Sequence, residues 1–226
     1  MEFDEVVTTT GAIRDFEDRP VPDSLVYEIL GLARFAPSGG NRQGWRVVVV
    51  KDKAIRARLR DLYVQAWAEY MAHVEAGFVP FAPWNGRRWT EPAVDLEAAA
   101  KKRYEYHFSD HLDEVPVMLA VFVRLGSLAV LDNGLDRQSI VGGGSIYPFV
   151  HNIMLAARSR GLGGVMTTAI CRREPDVARV MGMPDEYGLA SLVALGWPKR
   201  LPVSLRRAPV ERFTTVDTFA GEEFNP

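Results

Sequence analysis

The chain has 226 residues, 47% hydrophobic and 25% charged, a balance that suits a globular protein with enough apolar material for a sizeable core, in one domain or a compact pair. Its 27 basic and 29 acidic residues leave a formal charge of −2, so bulk electrostatics supply no drive towards nucleic acid or a membrane surface. A single cysteine, Cys171, excludes an intramolecular disulfide framework, fits a reducing compartment, and reads as a small buried or strand-end residue rather than a nucleophile.

Met1-Glu2-Phe3-Asp4-Glu5 lacks both a basic lead and an apolar core, so it does not read as a secretory leader and the expected compartment is the cytoplasm. No run approaches the roughly 18 to 20 apolar residues of a bilayer span. A short helix is predicted over 3–10, then a turn at Thr10-Gly11 and the segment Ile13-Arg14-Asp15-Phe16. Pro20 and Pro22 precede a helix over about 23–36, where Leu25, Ile29, Leu32, Ala33 and Ala36 recur at helical spacing as one buried stripe. Pro37 ends it, because proline disfavours the helical conformation at the residue before it. In the loop that follows, Gly39-Gly40 permits positive φ or close approach to a ligand, and Ser38, Asn41 and Gln43 supply donors and acceptors within six residues. Such a loop either holds a flat, hydrogen-bonding heterocycle or is an ordinary polar connection from helix to strand.

A strand is predicted over Trp45 to Val50 and a longer helix over Asp52 to Ala72, with Asp52 as N-cap. Phe78, Phe81, Trp84 and Trp89, with Tyr70 just upstream, are interleaved with Pro80, Pro83, Asn85 and Gly86, which excludes a regular helix or central strand and reads as a covering segment. His107 and His111 are four apart, but the zincin glutamate and a third ligand are missing, so a helix end before the strand Val115 to Val123 is the better account and no metal site is assigned. Ser145 is expected to N-cap a helix running to Arg160, with an apolar stripe of Ile146, Phe149, Val150, Ile153 and Ala157. Gly161-Leu162-Gly163-Gly164 follows a helix, whereas a dinucleotide fingerprint must follow a strand, so that reading is rejected. Strand-like Val165 to Ala169, a helix over Glu174 to Met181, a buried strand over Leu189 to Leu195 ending at Gly196, and a tail bearing Lys199, Arg200, Arg206 and Arg207 complete the chain.

The stretch Ala36-Pro37-Ser38-Gly39-Gly40-Asn41-Arg42-Gln43-Gly44-Trp45-Arg46 closely resembles the Pro-Ser-x-x-Asn-x-Gln-Pro-Trp segment of the FMN-dependent nitroreductase family, with Gly44 in place of the usual proline. Three further stretches agree in order and spacing: Ala12-Ile13-Arg14-Asp15-Phe16 with Pro20-Val21-Pro22, the Asn152 to Gly164 helix, and Leu195-Gly196-Trp197-Pro198. The resemblance spans roughly residues 5–215.

It implies an α+β fold over 1–226 as a single nitroreductase-like domain: a central, mainly antiparallel mixed sheet flanked by helices, in an intertwined homodimer with FMN at the interface. The aromatic-rich segment at about 64–113 would cover the site, with Phe81, Trp84 and Trp89 lining the substrate pocket, or else pack on the protein's own surface or a partner. Pro37, Ser38, Gly39, Asn41 and Gln43 would contact the isoalloxazine and ribityl chain, Arg14 and Arg207 the phosphate, and the backbone at Thr167, Thr168 and Ala169 the flavin N5 edge. The helix at 145–160 would lie at the core of the dimer interface, and residues 210–219 would add a strand to the partner. Members usually carry one or two arginines and a serine where this chain has Thr10-Gly11-Ala12, a loss that weakens the flavin's grip unless Thr9, Thr10 or backbone N–H groups substitute.

The implied activity is ping-pong transfer from NADPH or NADH through FMN to a small nitroaromatic or quinone acceptor. No catalytic side chain is called for, because the flavin carries the chemistry and protons come from solvent. Neither nucleic acid nor membrane is an expected partner. Two other readings stay open: a related flavoenzyme with another reaction (dehydrogenase, dehalogenase, flavin cleavage), and a flavin-binding or sequestering protein without turnover.

Overall fold

The computed structural model describes residues 1–82, 86–89, 92–201 and 205–225. The helices are α1 (Phe3–Thr9), α2 (Asp23–Ala33), α3 (Lys53–Glu75), α4 (Leu96–Ala100), α5 (His107–Asp110), α6 (Tyr147–Ser159) and α7 (Glu174–Met181). The strands β1 (Trp45–Val49), β2 (Val117–Arg124), β3 (Gly163–Thr167) and β4 (Tyr187–Gly196) form one sheet in the order β1-β2-β4-β3. All three strand pairings are antiparallel; the parallel element is an isolated bridge between Ala12 and Gly164. Among the described residues no helix is long and apolar enough to cross a membrane.

The two central strands are buried on both faces, and their side chains alternate between two cores. Leu119, Val121 and Val123 of β2 pack with Ile29 and Ala33 of α2 and Phe149, Val150 and Ile153 of α6. Met118, Ala120 and Phe122 face the other way, onto Leu59 and Tyr63 of α3, Phe108 of α5 and Val177 of α7. A register shift opposite Val121 and Phe122 leaves Ala190 of β4 as the extra residue, so Ala190 joins the α2/α6 core while Leu192 joins the other.

Local signals explain most element ends. Asp52 caps α3 as expected, its side chain accepting from the Ile55 N–H at 2.9 Å. Helix α2 stops at Ala33, short of the expected 36, and Arg34 to Ala36 form a turn that carries the chain to Pro37. Leu32 is exposed and Val26 takes its place in the buried stripe.

One expectation is corrected. Ser145 does not cap α6: a tight turn over Val141–Ser145 and a non-helical Ile146 intervene, and the Ser145 hydroxyl is used elsewhere. Within the chain, the apolar stripe of α6 is buried against the sheet and α2. In the single chain, residues 210–219 hold a 3-10 turn at Val210–Arg212, followed by an isolated bridge between Thr215 and Glu223.

Candidate active site

The segment bearing Arg14 is laid along β3 by the bridge from Ala12 to Gly164 and by the Ile13 N–H, which donates to the Gly164 carbonyl at 2.7 Å. Glycine is required for this approach. A Cβ on Gly163 would lie 2.8 Å from the Ile13 side chain, and one on Gly164 would lie 2.4 Å from Leu195 and 2.6 Å from the Ala194 carbonyl oxygen. Further on, the Glu17 N–H donates to the Trp197 carbonyl and the Arg19 guanidinium stacks 3.8 Å above the Trp197 ring, so the two most distant stretches of the resemblance meet.

Arg14 thereby enters a cleft of about 740 Å³ at the C-terminal end of β3. Thr167, Thr168 and Ala169 form its floor, β3 having ended at Thr167 and the chain turned into a 3-10 helix over Ala169–Arg173. Tyr63, Trp67 and Tyr70 of α3 line one wall; their spacing of four and then three residues puts them on one helix face. Trp67 stacks on Tyr70, with centroids 5.1 Å apart, and on Tyr106 at 4.8 Å. The Thr167 hydroxyl donates to the Tyr63 phenol oxygen at 3.3 Å. Burial pushes the Tyr63 pKa up against the smaller opposing effects of Thr167 and Arg14, so the phenol stays a neutral donor.

Phe81 and Trp89 of the covering segment close the other side. Phe81 has φ +56°, an uncommon conformation for a bulky residue, with its ring 4.7 Å from that of His73. Arg172 lies near both rings, its guanidinium carbon 5.5 Å from the centroid of Phe81 and 5.6 Å from that of Trp89. Its Nε is 3.1 Å from Oε2 of Glu69, a carboxylate only 2% exposed, whose other oxygen is 2.6 Å from Arg173. Gln138 completes the lining, and its backbone N–H donates to the Arg87 carbonyl at 2.6 Å, tying the covering segment to the loop before α6. That loop is organised by Asp132, which accepts from Ile140 N–H and Ser139 hydroxyl at 2.8 Å each and from Arg137 at 2.6 Å. The Ile140 amide, with Arg137, Ser139 and Val141, holds the Asp132 carboxyl well below the usual carboxylate range.

The Ser38 loop lies elsewhere. It leads into β1, the edge strand opposite β3, and none of its residues lines the cleft. Ser38 Oγ accepts from the Gln43 N–H at 3.0 Å, which leaves the hydroxyl proton to donate outward. Asn41 and Gln43 sit at φ +53° and +48°, and Trp45 anchors the loop by stacking on Phe149 with centroids 4.7 Å apart and planes within 6°. Gly44 replaces the usual proline where a Cβ would come within 2.5 Å of that of Ser127.

Of the residues expected at the site, the cleft unites Arg14, Thr167, Thr168, Ala169, Phe81 and Trp89, while Pro37, Ser38, Gly39, Asn41 and Gln43 form a separate cluster. Arg207 is exposed, donates to the carbonyl of Arg206, and lines neither. Trp84 lies outside the described residues. The hydroxyls of Thr9 and Thr10, at and beside the positions where the resemblance leaves arginines missing, donate to the Glu5 and Val6 carbonyls at 2.5 and 2.6 Å. The N–H groups of Thr10 and Gly11 are likewise engaged, on Val6 and Thr9. Sequence reasoning missed Tyr63, Trp67, Tyr106, Gln138 and Arg172; the helical spacing of Tyr63, Trp67 and Tyr70 was the one signal present for them.

The nitroreductase family model matches residues 8–197, and the chain belongs to the nitroreductase family. It is 28% identical to a chloronitrobenzene nitroreductase of Comamonas testosteroni, over 94% of this chain and 96% of that protein. It is 30% identical to an NADH dehydrogenase of Thermus thermophilus, over 89% of each. Among solved structures, an oxidised iodotyrosine deiodinase bound to FMN and 3-iodo-L-tyrosine superposes with a TM-score of 0.67 at 21% identity, covering 96% of this chain and all of that one.

Proposed function

We propose that this protein is an FMN-dependent NAD(P)H oxidoreductase that reduces nitroaromatic or quinone-type acceptors in a ping-pong cycle. The observation that carries the reading is the composition of the cleft: Arg14 and three consecutive residues of the β3 end facing an aromatic wall, with no acidic side chain among the described lining. That donor set fits a flat, anionic, hydrogen-bonding group. Bound there, FMN would supply two-electron redox chemistry, taking hydride from a reduced nicotinamide and passing it to an electron-poor acceptor.

The chain's own residues hold and orient. Arg14 makes a charge-assisted bond to the phosphate, and Arg207 of the tail is assigned as the second cation. Backbone groups at Thr167, Thr168 and Ala169 would hold the redox edge of the ring, and Tyr63 fixes the Thr167 side chain beside them. Phe81 and Trp89 stack on the acceptor and keep water out.

The Ser38 loop reaches the ring system from a second copy. Two features support a homodimer: the loop and the cleft sit at opposite edges of one sheet, and large apolar side chains lie bare on α2, on the turn after it and on the loop before α6. Tyr27 and Phe35 are 81% and 75% exposed, and Leu131 and Ile140 are 88% and 70% exposed. The cytoplasm remains the proposed compartment.

The test is the visible spectrum of the purified protein, before and after anaerobic NADPH or NADH and then menadione. A flavin band that bleaches and returns supports the oxidoreductase and identifies the donor. A colourless protein that takes up no added FMN overturns it. A flavin-holding protein without turnover is the second reading, favoured by the engaged donors at Thr9 to Gly11; it predicts a flavin band that NAD(P)H does not bleach. A different family reaction would bleach but fail to pass electrons to a quinone or nitroaromatic.

A further inference from the structure

We propose that Arg172 makes the cleft selective for aromatic acceptors that carry an anionic substituent, of the aromatic carboxylate class. The inference deepens the flavin-reductase reading and rests on it for the word acceptor, but the anion site itself does not.

Two guanidiniums meet one buried carboxylate here. Glu69 is held at 2.6 Å by Arg173 and at 3.1 Å by Arg172, so the cluster carries one positive charge in excess. Arg172 is the partner that faces the cleft: its side chain is 36% exposed, and only its inner Nε is committed to Glu69. The remaining edge of the guanidinium is presented beside Phe81 and Trp89, the two rings offered to a planar substrate. A ring stacked there brings a substituent into reach of a cation whose orientation is already fixed, which lowers the ordering cost of the contact. On the cleft side the described lining contains no carboxylate to compete for it; Glu69 and Glu97 lie with Arg172 along a separate groove behind. Arg14 comes from the N-terminal segment bridged to β3 and has the proposed phosphate role, whereas Arg172, on the 3-10 turn after β3, lies against the rings of the covering segment, where the acceptor rather than the phosphate is proposed to sit.

The FMN-loaded protein and its Arg172→Gln and Arg172→Lys variants would be compared in two assays. The first is the ratio of kcat/KM for 4-nitrobenzoate to that for uncharged nitrobenzene. The second is titration with benzoate, which is redox-inert, read by tryptophan fluorescence. Glu69 keeps Arg173 in both variants, and a thermal melt confirms that they fold. The expected result is a ratio about tenfold or more lower in Arg172→Gln, a parallel weakening of benzoate, and partial recovery of both in Arg172→Lys. An unchanged ratio with both compounds turned over overturns the selectivity while leaving the reductase standing. If neither is turned over the reductase reading fails, and the benzoate titration alone decides whether Arg172 binds carboxylates. If Arg172→Gln instead loses FMN and leaves benzoate binding unaltered, Arg172 serves the phosphate and the proposal is wrong.

Discussion

The backbone N–H of Gly39 donates to the hydroxyl of Ser145, 106 residues further along the chain, at 3.1 Å. This bond ties the Ser38 loop to the turn that enters α6, and a Cβ on Gly39 would lie 3.3 Å from both Ala129 and Ser145. The hydroxyl expected to cap a helix is spent on holding a loop. Replacing Ser145 by alanine leaves the Gly39 amide without its acceptor, at a cost of about 1 kcal/mol. Urea denaturation should register that loss, and FMN affinity should fall with it as the loop loosens. A variant that loses stability but binds FMN undiminished would remove the loop from the flavin site.

Gly164 tests the other half of the site. The Ala194 carbonyl and the Leu195 side chain leave no room for a methyl group, so Gly164→Ala must push β3 and β4 apart or displace the Ile13 bridge. Overpacking of this kind costs about 1–3 kcal/mol. Because Arg14 follows Ile13 directly, flavin binding should weaken along with the melting temperature. Unchanged values in both measurements would mean that the N-terminal segment is not positioned by β3.

Local chemistry was legible in the sequence: Asp52 capping α3, and the unbroken apolar runs that become β2 and β4; α2 gives way at Ala33, ahead of Pro37. The four family-like stretches also identified the family that the chain belongs to. What stayed hidden depends on contacts between distant residues. Arg172 meets Glu69 across 103 positions, and nothing near either residue announces the pair. The Gly161 to Gly164 run follows α6 and leads into β3, and the physical purpose of Gly163, admitting Ile13 against β3, became visible only with the strand in place. Ser145 was read as a cap because capping is the commonest use of a serine before a helix.

Arg14→Ala removes one of the two arginines that line the cleft. Losing one charge-assisted bond of about 1.5–3 kcal/mol should weaken FMN about 10- to 100-fold by fluorescence titration. Arg207→Ala, made in parallel, assigns or dismisses the second phosphate contact: a similar loss places the tail at the flavin, and an unaltered Kd takes Arg207 out of the site.

Asp132 makes the loop beneath the covering segment acid-sensitive. Its carboxyl, held down chiefly by the Ile140 amide and also by Arg137, Ser139 and Val141, stays ionised in the folded chain at pH values where the unfolded chain takes up a proton, below about 3.9. Its contribution is therefore full above that value and is lost as pH falls towards the depressed folded pKa. Asp132→Asn should be less stable than the parent at pH 7, and the gap should narrow below about pH 4. A gap that persists undiminished at low pH would show that charge is not what holds the loop.

Cys171 lines the cleft but should be chemically quiet. Burial, with a smaller push from Glu174, raises its thiol to about 12 from an ordinary 9.0, while its Sγ donates to the Leu189 carbonyl at 3.3 Å. At pH 8 the thiolate fraction is then about one in ten thousand, against about one in ten for the unfolded chain, so iodoacetamide should label the native protein about a thousandfold more slowly. Linkage gives the same shift a second consequence. Between pH 9.0 and about 12 the unfolded chain has released this proton and the folded chain has not, so stability declines as pH rises through that window. Cys171→Ala should flatten that decline. Rapid labelling at pH 8 with the fold intact would mean that the thiol is ionised in the cleft and available to a substrate.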